Sequence, residues 1–172
     1  MKLSEAKQAF LMGRFYEQIR HIYACDDADC ERQAQRYAEA LDGFASLFGA
    51  DRDVSVFSAP GRTEVGGNHT DHQRGHVLAA AVNLDVIAIV ARNDAGVIRV
   101  KSQGYPQDEV DLSDLSVHKS EENTSAALIR GIAAKFTELG YTIGGFDAYT
   151  TSQVLSGSGL SSSASFEVLI GN

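Results

Sequence analysis

The sequence predicts an α+β fold, a mixed sheet with helices mainly on one side, preceded by a helical hairpin. Three observations carry this. Residues 4–48 hold two runs whose apolar side chains recur three and four positions apart, the helical period. From Val54 onward the composition turns β-rich, in strand-strand-helix-strand order. The 172 residues are 44% hydrophobic, enough for one domain, or one domain with an extension, around a real core. We place the hairpin at residues 1–50 and the sheet domain at 51–172.

In the hairpin, Leu11, Phe15, Ile19 and Ile22 share one face of a helix over 4–24. Cys25-Asp26-Asp27-Ala28-Asp29 breaks it with acidic, cap-forming residues. A second helix from about Asp29 aligns Ala34, Tyr37, Leu41, Phe44 and Phe48. Val54–Ser58 is a short strand, stopped by Ala59-Pro60-Gly61. Val86–Arg92 is a buried strand, Asn93–Gly96 a turn, and Val97–Ser102 returns as its partner. Residues 103–122 read as irregular, with a short strand at 109–112. Asn123 or Thr124 caps a helix carrying Leu128, Ile132, Phe136 and Leu139, and Gly140 stops it. Residues 145–155 form another strand, and a last helix starts at about Ser161.

Composition limits function. A net charge of −8 argues against nucleic acid. The two cysteines, Cys25 and Cys30, lack redox-motif spacing, and no run has the length of a membrane span or the flanks of a signal peptide. The expected setting is a reducing cytoplasm, with no membrane partner.

Two stretches carry chemistry. Gly157-Ser158-Gly159-Leu160-Ser161-Ser162-Ser163 leads directly into an apolar helical pattern. Its glycines permit positive φ, and its serines suit a helix start, where free N–H groups and the helix dipole attract anions. This reads as a phosphate-cradling loop. It lacks the lysine of a Walker A loop, and Ser162 stands where a G-x-G-x-x-G motif has its third glycine. An ordinary Ser/Gly loop before a helix is the competing reading. The second stretch, residues 59–76, is crowded with glycine and polar residues between two β segments. Arg62 follows Pro60-Gly61, while Asn68, His69 and Asp71 offer the donors and acceptors a polyol needs. A zinc site on His69, His72 and His76 competes, but Gly66-Gly67 and Gly75 interrupt the helix it requires.

Together, Ala59-Pro60-Gly61-Arg62, Gly67-Asn68-His69-Thr70-Asp71 and the serine loop resemble the galactokinases, within the wider GHMP kinases. The resemblance covers about residues 50–172. It implies the N-terminal domain of that fold, related to ribosomal protein S5 domain 2, and ATP-dependent phosphorylation of galactose at C1. It implies Arg62 beside the transferring phosphoryl group and Asn68, His69, Thr70 and Asp71 in the sugar pocket. Residues Gly157, Ser158, Gly159, Leu160, Ser161, Ser162 and Ser163 would hold ATP, with Ser163 also toward Mg²⁺. These parts suit phosphoryl transfer, which is mostly positioning and charge stabilisation.

Two departures stand out. The family motif has glutamate where this chain has Asn68, and tyrosine where it has His72. Asparagine both accepts and donates, and tolerates a sugar carboxylate better, so a kinase for galacturonate is an alternative substrate reading. The family's catalytic aspartate and Mg²⁺-binding glutamate lie past the serine loop. The expectation is therefore an N-terminal portion, incomplete at its C-terminal end and inactive alone, with Val168, Leu169 and Ile170 partly exposed. A non-catalytic sugar- or ATP-sensing regulator on the same scaffold is the second class of function.

Overall fold

The computed structural model describes residues 1–67, 70, 74–155 and 157–172. The N-terminal region forms three helices, α1 (Leu3–Leu11), α2 (Tyr16–Tyr23) and α3 (Asp27–Phe48). The continuous helix expected over 4–24 is broken at Gly13, whose φ of 72° leaves the helical region. The break resets the helical phase. Leu3, Ala6, Phe10 and Ile19 are buried, whereas Leu11 and Ile22, expected on the apolar face, are exposed. The second helix matches its sequence pattern. Asp26 caps α3 by accepting from the Asp29 N–H at 2.9 Å, and Asp27 and Asp29 complement the dipole in its first turn. Ala34, Tyr37, Leu41 and Phe44 are buried along it, with Phe48 packed at the margin.

Five strands form one mixed sheet among the described residues: β1 (Ser55–Gly66), β2 (Leu78–Arg92), β3 (Val97–Ser102), β4 (Gln107–Asp111) and β5 (Phe146–Ser152), in the order β1-β2-β5-β3-β4. Only the β3–β5 pairing is parallel among them. Two expectations are corrected here. Pro60-Gly61 does not end β1. The strand lies at the sheet edge, where a missing N–H is tolerated, and a register shift between Pro60 and Arg62 absorbs the irregularity. Nor does β3 pair with β2, because β5 inserts between them. Gly145 makes the entry possible: a side chain there would collide with the Asn93 side chain and the Val97 carbonyl. The Asn93 N–H donates to the Gly145 carbonyl at 3.0 Å, fixing the entering chain beside the β2–β3 turn.

Side-chain alternation divides the sheet into two covered faces. Ile87, Ile89 and Ala91 pack under α1–α3. Val86, Ala88, Ala148 and Val100 face the domain's own helices, α4 (Ser125–Glu138) and α5 (Ser162–Gly171). Those two helices share one side as expected, and the N-terminal helices occupy the other. Thr124 caps α4, accepting from the Ala127 N–H at 3.3 Å, and Gly140 follows its end with a φ of 85°. The face of α4 is rolled by one residue from the expected stripe. Ile129 and Ala133 pack on Val100 and Val110, leaving Leu128, Ile132 and Phe136 half-buried and Leu139 exposed. On α5, Val168 is exposed and Ile170 half-buried, as expected, but Leu169 is buried against Val86, Ala88 and Val154.

Polar groups cross-link these layers. Asp85, 2% exposed, accepts from Tyr23 at 2.6 Å, Ser58 at 2.5 Å and Arg36 at 2.6 Å. The Tyr23 hydroxyl also meets that of Tyr37 at 2.7 Å, and burial pushes both phenols above their ordinary range. This network ties α2 and α3 to β1 and β2 through Ser58, two residues before Pro60. Asp147 is likewise buried and paired with Arg52 and Arg99.

Candidate active site

The two sequence motifs meet at the kink of β1. The Arg62 N–H donates to the Leu160 carbonyl at 3.0 Å, joining the edge strand to the serine loop. Five residues on, Ser165 is buried on α5, and its hydroxyl donates to the Pro60 carbonyl at 2.9 Å, shared with the Ser161 carbonyl at 3.1 Å. The register shift at Pro60 is what frees this stretch of strand edge. Gly61 lies between the two contacts. A Cβ there would stand 3.1 Å from Val154, 3.2 Å from the Leu160 carbonyl and 3.2 Å from Val82. A side chain there would have to push its neighbours back by a few tenths of an ångström, so glycine suits this close approach of strand and loop.

The Arg62 side chain, about one-third exposed, pairs with Glu64 at 3.5 Å. Residues two apart in a strand share a face, so this pairing follows from β1 continuing past Pro60. Ser165 was harder to see, being one polar position in an apolar helix. Its signal was its spacing of four from Ser161, which places both on one side of the helix.

The serine loop has the shape its glycines imply. Gly157 and Gly159 have φ of 75° and 76°, and Ser161, the residue before α5, sits at 59°. Ser158 folds back on the Leu155 carbonyl at 2.6 Å. Ser161 makes no side-chain cap bond to α5 among the described residues. Among the described residues, the Ser161 side chain therefore occupies none of the first-turn N–H groups of Ser162, Ser163 and Ala164. Ser163 is exposed and Ser162 half-buried.

On the opposite arm, Thr70 donates its hydroxyl to the Gly67 carbonyl at 2.9 Å, and the Gly75 N–H donates to the Thr70 carbonyl at 2.8 Å. Thr70 thus shapes the loop between β1 and β2. Asn68, His69, Asp71 and His72 lie outside the described residues. Apart from these arms, a cavity of about 1030 Å³ opens between the sheet and α4–α5, lined by Phe57, Ala88, Ile132, Phe136 and Leu169. It touches neither Arg62 nor the serine loop. Among the described residues no helix is long and apolar enough to cross a membrane.

Comparison with known proteins bears on this arrangement. A family model described as the galactokinase galactose-binding signature matches residues 42–92. The chain is 37% identical over 138 residues to a galactokinase of Bacillus subtilis, covering 77% of this chain and 35% of that protein. It is 35% identical over 127 residues to a galactokinase of Streptomyces coelicolor, covering 74% and 33%. The chain is related to the N-terminal portion of galactokinases. It spans about a third of the length of these relatives. The solved galactokinase of Lactococcus lactis, complexed with galactose, superposes with a TM-score of 0.69 at 29% identity, over 76% of this chain and 34% of that one. A mevalonate kinase of Methanococcus jannaschii, at 15% identity and a TM-score of 0.56 over 69% of this chain and 38% of that one, shares the fold. The GHMP kinase fold and the galactokinase relationship read from the motifs both hold.

Proposed function

We propose that this chain supplies the sugar-facing arm and phosphate loop of an ATP-dependent kinase that phosphorylates galactose at C1. The observation that carries the reading is the Arg62–Leu160 joint, a main-chain bond that holds the strand bearing Arg62 against the Gly157–Ser163 loop. Phosphoryl transfer needs its acceptor and donor held together and the charge on the moving group stabilised. In this role Asn68, His69 and Asp71 bind the sugar hydroxyls, with Thr70 keeping their loop in shape. The α5 N-terminus and Gly157–Ser163 take the ATP phosphates. The residues fit such an occupant: a helix start without a Ser161 side-chain cap, a backbone in the left-handed region and an exposed hydroxyl on Ser163. Mg²⁺, when bound, neutralises phosphate charge, and Ser163 is the hydroxyl we assign to it. Arg62 steadies the transferring group, and its Glu64 partner fixes the guanidinium on the strand.

Galacturonate is the second substrate reading, favoured by Asn68 in place of the family glutamate. Calorimetric titration of this chain with galactose, galacturonate and Mg-ATP decides between them. We expect galactose to bind more tightly than galacturonate, and Asn68→Ala to lose galactose while keeping Mg-ATP. Tighter binding of galacturonate overturns the sugar assignment. Equal loss of sugar and nucleotide in the variant points to misfolding, which circular dichroism reveals. We also expect no galactose-dependent ADP release from these 172 residues alone. Such release would assign a base within this chain. Binding of Mg-ATP without turnover in any longer form would support the regulatory reading.

A further inference from the structure

Cys25 and Cys30 sit at the joint between α2 and α3 with their sulfurs 3.0 Å apart. The kinase reading uses neither. They differ in access: Cys30 is fully buried in the first turns of α3, whereas Cys25 is half-buried in the short connection. That connection is not helical. Ala24 has a φ of 49° and Asp26 is extended, so Cys25 itself lies on non-helical backbone between the end of α2 and the Asp26 cap of α3. Closing the sulfurs to covalent distance requires a movement of about 1 Å.

We propose that Cys25 and Cys30 form an oxidisable dithiol, closed to an intramolecular disulfide by a small-molecule disulfide such as oxidised glutathione. The access difference sets the order of events. The Cys25 thiolate attacks one sulfur of the oxidant, forming a mixed disulfide and releasing one glutathione thiolate. The Cys30 thiolate then attacks the Cys25 sulfur, forming the Cys25–Cys30 bond and releasing the second. The protein loses two thiol protons and two electrons, and the oxidant leaves as two reduced glutathiones.

The reaction is slow near neutrality, since burial, and then the hydrogen bond with Cys30, push the Cys25 thiol up to about 11. The crosslink would brace a functional part of the fold. Tyr23, two residues before Cys25, donates to Asp85, which holds the β1–β2 pair just before Pro60 and Arg62.

The test uses the purified, reduced 172-residue chain with excess oxidised glutathione at about pH 8.5, followed by alkylation and intact mass measurement. No lysine or arginine lies between Arg20 and Arg32, so both cysteines fall on one tryptic peptide. We expect a chain lighter by two hydrogens, without glutathione or alkyl groups, and the same loss on that peptide. Cys30→Ser should stop at one glutathione on Cys25, and Cys25→Ser should leave Cys30 unmodified. Wild-type chain that ends as a stable glutathione adduct, a disulfide-linked dimer or a fully alkylated dithiol overturns the proposal.

Discussion

The Arg62 main chain reaches the Leu160 carbonyl at 3.0 Å, and through this contact the strand carrying Arg62 and the Gly157–Ser163 loop share one anchor. The Ser165–Pro60 bond at 2.9 Å is its side-chain counterpart, made from the other side of the kink. Neither contact is local, so both report how the sheet edge and α5 are held together.

Ser165→Ala removes the side-chain pin and leaves the Pro60 carbonyl without that donor. We expect a stability loss of about 1–2 kcal/mol in urea unfolding. Nucleotide affinity should fall further than that of a control variant of equal stability made at an exposed site. Equal affinities would limit Ser165 to a packing role.

Gly61→Ala places a methyl group 3.1–3.2 Å from three neighbours, one of them the Leu160 carbonyl. The loop must retreat. Overpacking of this kind costs about 1–3 kcal/mol. Mg-ATP binding should weaken more than galactose binding, and calorimetry with both ligands shows whether it does.

Gly159→Val should also impair nucleotide binding, for a conformational reason. Among the described residues, its chain neighbours aside, no atom lies within 4 Å of the space its Cβ would enter, but a φ of 76° is poorly accessible to a β-branched residue. Gly159→Asn, which tolerates that region, should retain more affinity than valine. The reverse order would show that bulk beside the loop matters more than its backbone.

The helix α4 corner should give the chain an acid limb. Hydrogen bonds from Ser116, then His118, hold the Asp114 carboxyl down at about 2, and Arg130 lowers Glu121. A carboxyl whose folded pKa is depressed stabilises the fold above its ordinary value near 4. That contribution fades as pH falls through the folded value. Stability should therefore decline between about pH 4 and pH 2, and Asp114→Asn should flatten this limb in a pH series of thermal melts. An unchanged limb would place the acid-sensitive groups elsewhere.

Asp85→Ala should be the most damaging of these changes. It strips the partner from Arg36, Tyr23 and Ser58 at once, and breaking a buried pair costs about 3–5 kcal/mol. Circular dichroism at low denaturant checks it.

What was readable in the sequence was mostly local. The Tyr37–Leu41–Phe44 stripe, the Thr124 cap and the Gly140 stop depend on neighbours within a few positions, and each stands where the pattern put it. The stretches at Arg62 and Gly157–Ser163 stood out in the sequence for their density of glycine and polar residues. Strand order was not legible, since the choice between β3 and β5 as partner of β2 turns on a contact between Gly145 and Asn93, more than fifty residues apart. The helix break at Gly13 was overlooked because the apolar spacing ran through it. Passage of β1 through Pro60 depended on edge position, which no local pattern encodes.

The insertion of β5 has a consequence during synthesis. Residues up to about 145 can leave the ribosome and collapse, yet the inner edges of β2 and β3 must then wait unpaired for a strand still being made. Such edges are sticky, and pairings that wait on distant chain are slow to form. The Gly157–Ser163 loop follows β5 closely, so it is placed only after this keystone strand is seated. Slowing translation around codons 140–160 should thus lengthen that wait and lower the yield of competent protein, and mutations that weaken β5 should appear first as aggregates caught during chain growth.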